Sequence, residues 1–274
     1  MSLSLNGPLL LVGAGKMGGA LLEGWLKRGL KPSQVVVQDP SPSADIKSML
    51  DTHGIGCVAS ADAGGSPPAV ILMAVKPQVM EAVFPAVAKL AGPGTLVLSI
   101  AAGRTIASFE RHLAPGRAVV RAMPNTPAAI GRGITVCCAN AACTPAQRTL
   151  AGELLSAVGE VDWVGEEKLI DAVTAVSGSG PAYVFLLAEC LAEAGRAVGL
   201  EAGLARKLAD ATVSGSGELL RQSGIDAATL RKNVTSPGGT TAAALAVLMA
   251  GDGLQPLMTR AVAAAEERGR ELAG

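Results

Sequence analysis

Leu9-Leu10-Leu11-Val12-Gly13-Ala14-Gly15-Lys16-Met17-Gly18 sets a four-residue apolar run directly before a glycine-rich turn. A short run without polar residues suits a strand buried on both faces. The turn has the spacing GxGxxG, and Met17, Leu21, Leu22, Trp25 and Leu26 then recur at helical intervals. Strand, glycine turn and helix in this order make a dinucleotide fingerprint of a spacing that is weak by itself. Gly13 permits the tight turn, Gly15 lets a pyrophosphate approach the backbone, and Gly18 lets the helix pack on the sheet. Free N–H groups at the helix start face the phosphates, a dipole effect of about 0.3–1 kcal/mol at an exposed site. Gly13, Ala14, Gly15, Lys16, Met17 and Gly18 are therefore candidate cofactor-binding residues.

Strand and helix alternate on either side of this turn. Val35-Val36-Val37 is a second strand, residues 69–75 a third, and residues 95–98, 118–120 and 134–137 three more. Helical periods cover residues 45–50 and 78–90. Such alternation predicts right-handed crossovers and a mostly parallel sheet. Beyond about Pro145 the periods are helical, apart from a short piece Val161-Asp162-Trp163-Val164. Helices are expected over residues 181–198, 204–220, 240–249 and 254–272, with Pro181 in a first turn where its missing N–H is harmless. The expected fold class is an α/β Rossmann-like dinucleotide-binding domain, residues 1–165, followed by an all-α dimerisation and substrate domain, residues 166–274. Small residues such as Ala188, Ala192, Ala194, Gly195 and Ala197 let helix backbones approach closely. So much apolar surface on a helical half points to a core completed by a second subunit.

Composition excludes several functions. The 274 residues carry 23 basic and 23 acidic side chains, so no basic field attracts nucleic acid or an anionic membrane. Phe84, Phe109, Phe185, Trp25, Trp163 and Tyr183 are too few aromatics for a base-stacking platform. Cys57, Cys137, Cys138, Cys143 and Cys190 form no CxxC pair and no zinc spacing, and no His/Cys/Asp cluster suggests a metal. Scattered thiols fit a reduced, cytoplasmic protein. The uncharged run over residues 172–188 is broken by glycine and proline, as in a soluble core rather than a membrane span. No leader pattern is expected at the start.

Polar loops between apolar elements supply the remaining candidates. Asp39 ends the second strand, where an acid binds ribose hydroxyls and repels a 2′-phosphate. Ser41, Ser43 and Lys47 follow it and could hold that phosphate, so NADH and NADPH both stand as cofactors; Asp39 could equally cap a helix or a turn. Ala74, Val75, Lys76 and Pro77 close the third strand, at the carboxyl edge where an open parallel sheet binds ligands. Met123-Pro124-Asn125-Thr126-Pro127 forms a proline-stiffened wall that presents Asn125. Ser177-Gly178-Ser179-Gly180-Pro181 and Ser236-Pro237-Gly238-Gly239-Thr240-Thr241 each precede a helix start and offer N–H donors to a small anion. The two histidines, His53 and His112, lie outside these loops, and no lysine stands between Lys168 and Lys207. A hydride transfer served by neither suits a C=N acceptor, which is basic enough to be protonated.

These motifs, in this order and spacing, resemble the pyrroline-5-carboxylate reductases over residues 8–272. The segment 236–241, with Asn233-Val234 before it and Ala244-Leu245 after it, is the most specific. The resemblance implies NAD(P)H reduction of cyclic 1-pyrroline-5-carboxylate to L-proline, the last step of proline biosynthesis. It implies that Thr241 contacts the ring nitrogen and supplies or relays its proton. It implies that Ser236, with the N–H groups of Thr240 and Thr241, holds the substrate carboxylate, and that Ser177 and Gly239 belong to the same seat. It also implies interlocked homodimers, often pentamers of dimers, with the site formed by one subunit's sheet domain and the helical dimer domain. An Asn that family members carry for the cofactor ribose has no counterpart in Ser60-Ala61-Asp62-Ala63. A β-hydroxyacid dehydrogenase would need a lysine where Val184 stands. A nucleotide-sensing regulator on the same fold would bind cofactor without turnover.

Overall fold

The computed structural model describes residue 3, residues 5–62 and residues 65–273; Ala63, in the segment noted above, lies outside the described residues. The first part runs β1 (Leu9–Val12), α1 (Lys16–Lys27), β2 (Val35–Gln38), α2 (Ala44–His53), β3 (Gly56–Val58), β4 (Val70–Met73) and α3 (Met80–Ala88). It continues with β5 (Leu96–Ser99), α4 (Ile106–Glu110), β6 (Ala118–Met123), β7 (Gly133–Ala139), α5 (Pro145–Leu155), β8 (Gly159–Trp163) and α6 (Leu169–Val173). A π-helical turn, Thr174–Gly178, ends it.

One eight-stranded sheet has the order β3-β2-β1-β4-β5-β6-β7-β8. Every pairing is parallel except β6 with β7. β1 and β4 are apolar along their whole length and buried at every position, as strands covered on both faces must be. Helices α1, α2 and α5 cover one face through Leu21, Leu22, Trp25, Ile46, Leu50 and Leu154. Helices α3, α4 and α6 cover the other through Met80, Phe84, Ile106, Phe109 and Ile170. The chain leaves β1 toward β2 and leaves β4 toward β5, in opposite directions. Right-handed crossovers then place α1 and α3 on opposite faces and open a crevice between β1 and β4. Trp25 is fully buried and its indole N–H donates to the Leu154 carbonyl oxygen at 2.8 Å, which locks α1 to α5.

The structure adds elements that periodicity does not reveal. β3 is three exposed residues, Gly-Cys-Val, without an apolar run. The piece around Val161 is not isolated in the helical half: it is β8, paired in parallel with β7 from Gly133↔Gly159 to Cys137↔Trp163. Gly159, at φ +153°, sits so close to the Gly133 carbonyl that a side chain there would collide with it. Short α4 and α6 are five residues each, too short for a readable period.

The chain divides into two compact units, one reaching Gly178 and regaining the chain from Glu266, the other Ser179–Ala265. The switch to helical periods predicts a boundary at 165. In the structure α6 goes with the sheet, because Ile170 is packed into the sheet's core. The final turns of α11 (Leu254–Ala273) do so too, with the Leu272 carbonyl oxygen 3.4 Å from where a Gly103 side chain would begin. The second unit contains α7 (Gly180–Ala197), α8 (Ala202–Ser223), α9 (Ala227–Asn233), α10 (Thr240–Leu248) and the start of α11. α9, seven residues capped by the Asp226 side chain, has no counterpart in the sequence reading. A Cβ added to Gly195 of α7 would lie 3.3 Å from the Ala205 Cβ of α8, tighter than an ordinary contact, so the two helices approach closely because position 195 is glycine. Val184, Phe185 and Leu187 on α7 are 47%, 63% and 50% exposed. That much contiguous apolar surface marks an interface.

The five thiols are free. Burial, with Cys138 adding to it, pushes Cys137 up to about 12, and burial raises Cys138 and Cys143 too. A thiol-exchange reagent at neutral pH should label exposed Cys57 at once, and Cys137, Cys138 and Cys143 only after unfolding; rapid labelling of Cys137 in native protein would contradict this packing.

Candidate functional site

The crevice between β1 and β4 is built on close backbone contact. Gly13 has φ +89°, and a Cβ there would lie 2.9 Å from Val75 Cγ1 and 3.0 Å from the Ala74 carbonyl. A side chain on Gly18 would collide with the Gly13 carbonyl oxygen. Gly15 differs: a Cβ there meets nothing within 4 Å, so its open side faces space that a ligand can fill. Gly15 is also the N-cap of α1 and has no side chain to bond the first N–H groups. Those of Lys16, Met17 and Gly18 lack intrahelical acceptors, which makes this helix start suited to an anion.

Asp39 stands beside this loop. One carboxylate oxygen accepts from Ala14 N–H at 2.9 Å and the other from Ser41 N–H at 2.9 Å. Two backbone donors thus fix the carboxylate next to the glycine turn, and each oxygen keeps a further lone pair for a ribose hydroxyl. Ser43 is a helix cap: its hydroxyl accepts from Ile46 N–H at 3.4 Å. The residues therefore fit a nicotinamide dinucleotide, with an open glycine, an uncapped helix start and a fixed acid at the end of β2.

The other candidates fall on both units. Ala74, Val75, Lys76 and Pro77 follow β4 and line the same crevice; Lys76 is exposed and has no ion pair among the described residues. Asn125 is half-buried, and its side-chain oxygen accepts from Ile134 N–H at 3.0 Å, which staples its own loop to β7. Ser177 lies not in an open loop but in the π-helical turn, where its hydroxyl donates to the Val173 carbonyl oxygen at 3.0 Å. The turn packs on β6, since a Cβ on Gly178 would lie 2.5 Å from Met123 Cε. π-turns recur at functional sites. In the second unit Gly238 has φ +67° and Gly239 is the N-cap of α10, again without a side-chain cap. Gly239 N–H donates to the Ser236 carbonyl oxygen at 3.1 Å and rounds the bend. The hydroxyls of Ser236, Thr240 and Thr241 stand at this uncapped helix start, with Thr241 half-buried and the other two exposed.

Charged residues inside the sheet unit escaped the sequence reading. Arg121, 2% exposed on β6, donates to Glu167 at 3.0 Å and to Asp171 at 3.2 Å. Glu167 also accepts from Ile106 N–H at 2.7 Å, so one carboxylate joins β6, α4 and the approach to α6. The signal was present: Arg121 is the lone charge in Ala118–Met123. Asp171, Thr174, Pro77 and Arg104 line a cavity of about 810 Å³ at the carboxyl ends of β4 and β5.

Residues 167–272 match the family described as pyrroline-5-carboxylate reductase dimerisation, and residues 9–103 match NADP oxidoreductase, coenzyme F420-dependent. A pyrroline-5-carboxylate reductase of Pseudomonas aeruginosa is 41% identical over 97% of this chain and 96% of the relative. One from Synechocystis is 40% identical over 96% of this chain and 97% of its own. The structure of a pyrroline-5-carboxylate reductase from Coxiella burnetii superposes with TM-score 0.90 at 33% identity, covering 98% of this chain and all of that one. A Plasmodium falciparum pyrroline carboxylate reductase with NADP bound gives TM-score 0.80 at 28% identity, covering 98% of this chain and 99% of that one.

Removing Arg121 leaves two carboxylates facing each other in a buried site. Arg121→Met should cost about 3–5 kcal/mol in urea unfolding, and a loss below about 1 kcal/mol would mean the pair is solvated. Asp39→Ser removes the fixed negative charge and should shift cofactor preference toward NADPH; an unchanged NADH/NADPH ratio of kcat/KM would exclude Asp39 from reading the ribose.

Proposed function

The chain belongs to the pyrroline-5-carboxylate reductase family, and on that premise we propose which of its residues carry the reaction. The reaction is the NAD(P)H-dependent reduction of 1-pyrroline-5-carboxylate to L-proline, the last step of proline biosynthesis. The single observation that supports the assignment of roles is the bend at residues 236–241: a helix start at Gly239 with no side-chain cap, in a segment that carries Ser236, Thr240 and Thr241.

Gly13, Ala14, Gly15, Lys16, Met17 and Gly18 would hold the cofactor pyrophosphate, Asp39 its ribose, and Ala74, Val75, Lys76, Pro77 and Asn125 the wall beside it. When bound, the reduced nicotinamide supplies a hydride to the imine carbon. In the helical domain, residues 166–274, Ser236 and the N–H groups of Thr240 and Thr241 take the substrate carboxylate, with Gly239 as the side-chain-free cap beside them. Each such charge-assisted hydrogen bond contributes about 1.5–3 kcal/mol. Ser177 adds a hydroxyl to the seat. Thr241 contacts the ring nitrogen and relays its proton, so that the C=N bond becomes CH–NH: hydride on carbon, proton on nitrogen. Holding the imine carbon against its hydride donor contributes up to about 7–11 kcal/mol through proximity. Residues 177–181 and 236–241 contain no histidine or lysine, which leaves the Thr241 hydroxyl to relay the proton.

The exposed apolar face of α7 supports a homo-oligomer. The proposed assembly is a dimer through the helical domain, built further into a pentamer of dimers, and free thiols fit a cytoplasmic setting. The run Leu169–Ala197 is long and apolar enough to cross a membrane by length and composition. It is interrupted by the π-helical turn and by Pro181, and it lies within the dimerisation match.

Purified protein should oxidise NAD(P)H only when the cyclic imine is added; cofactor binding without turnover would favour a regulator. Thr241→Ala should lower kcat by roughly 10²-fold and leave cofactor affinity nearly unchanged, and an unaltered kcat would remove Thr241 from the mechanism. Light scattering should report a particle of ten 27.3-kDa chains; a stable dimer alone would reject the higher assembly.

A further inference from the structure

We propose that Arg104 is a positioning residue for the cofactor, acting through the segment Ala74-Val75-Lys76-Pro77. The proposal rests on the reading that this segment lines the cofactor site. Arg104 follows Gly103, whose φ of +66° turns the chain sharply after β5. The turn sends the guanidinium sideways across the carboxyl ends of the strands, toward the neighbouring β4 loop. There Nε and Nη2 both donate to the Pro77 carbonyl oxygen, at 3.2 and 2.6 Å. Nη1 donates to Glu81, near the start of α3, at 2.7 Å. The side chain is only 23% exposed. His112 stands 3.6 Å from the other oxygen of the half-exposed Glu81 and meets Phe84 edge-on at 6.0 Å.

The loop after β4 is thereby held from two sides. On one side Ala74 and Val75 touch Gly13 so closely that no side chain fits between them. On the other, the planar fork of Arg104 grips Pro77 and Glu81 together. Lysine cannot repeat this geometry, because a single ammonium has no rigid fork to bond both acceptors at once. The backbone that faces the crevice between β1 and β4 takes its position from this clamp. Arg104 and Pro77 together also line the 810 Å³ cavity at the carboxyl ends of β4 and β5. Loosening it lets residues 74–77 move away from the glycine turn. That lowers cofactor affinity and leaves untouched the substrate seat at residues 236–241.

The test uses the full-length enzyme with Arg104→Val, Arg104→Lys, Glu81→Ala and Gly13→Val. Cofactor Kd is read by nicotinamide fluorescence, KM for cofactor and imine by steady-state kinetics, and folding by thermal melting. Arg104→Val should raise the cofactor Kd and KM about tenfold with the imine KM within about twofold, and Arg104→Lys and Glu81→Ala should fall between it and wild type. A merely structural arginine would lower Tm without splitting the two KM values. A folded Arg104→Val enzyme with wild-type cofactor Kd overturns the proposal. If Arg104→Val does not fold, unchanged Kd in both Arg104→Lys and Glu81→Ala overturns it equally. Gly13→Val separates the two claims: if it too retains cofactor affinity, the cofactor reading itself falls, whereas loss there with retention in Arg104→Val removes only Arg104.

Discussion

The backbone of Gly13 touches the backbone of Ala74, and the rest of the sheet unit is arranged around that contact. It requires β1 and β4 to be neighbours, which the pairing Leu9↔Val70 through Val12↔Met73 provides. It requires a residue without Cβ at φ +89°. It then leaves the start of α1 beside the strand ends with its N–H groups unclaimed by any side chain. A larger residue at position 13 would push the β4 loop outward and close the space that Gly15 leaves open.

Both units start a helix at a glycine. α1 begins at Gly15 and α10 begins at Gly239, and neither helix has a side-chain cap. Among the described residues five helices are capped by a side chain, Ser43 on α2, Thr105 on α4, Thr144 with Gln147 on α5, Glu201 on α8 and Asp226 on α9, while α3, α6 and α7 lack one but have N-caps other than glycine. Capping satisfies the first N–H groups internally, and glycine at the cap leaves them for a ligand. Arg121 and Arg104 serve a different purpose. Arg121 with Glu167 and Asp171, and Arg104 with Glu81, tie elements together, while backbone dipoles face the crevice.

Much of this was legible in the chain. The strand-turn-helix fingerprint, the alternation that follows and the switch to helical periods are local patterns, and the sheet with its helical half follows them. The bend at 236–241 was legible because serine, glycine and threonine before an apolar helix leave little choice of backbone. The charged ties were not legible, because a lone arginine in a strand shows its partners only once α6 is folded against the sheet. β8 and the π-helical turn at Ser177 were hidden for a related reason. An edge strand of alternating exposure and a five-residue turn are selected by what they pack against.

The sequence by itself determined that residues 9–18 form a strand, a glycine turn and a helix start, since short-range sterics and hydrophobic period allow little else there. It also determined that the helical half would be small-faced and apolar. Only the tertiary structure decided that Asp39 is pinned to Ala14, that Asn125 staples its loop to Ile134, and that Arg104 grips Pro77 and Glu81. These bonds join residues from nine to 27 positions apart. Their geometry depends on strand order and on which face each helix covers, and neither is encoded in any local window.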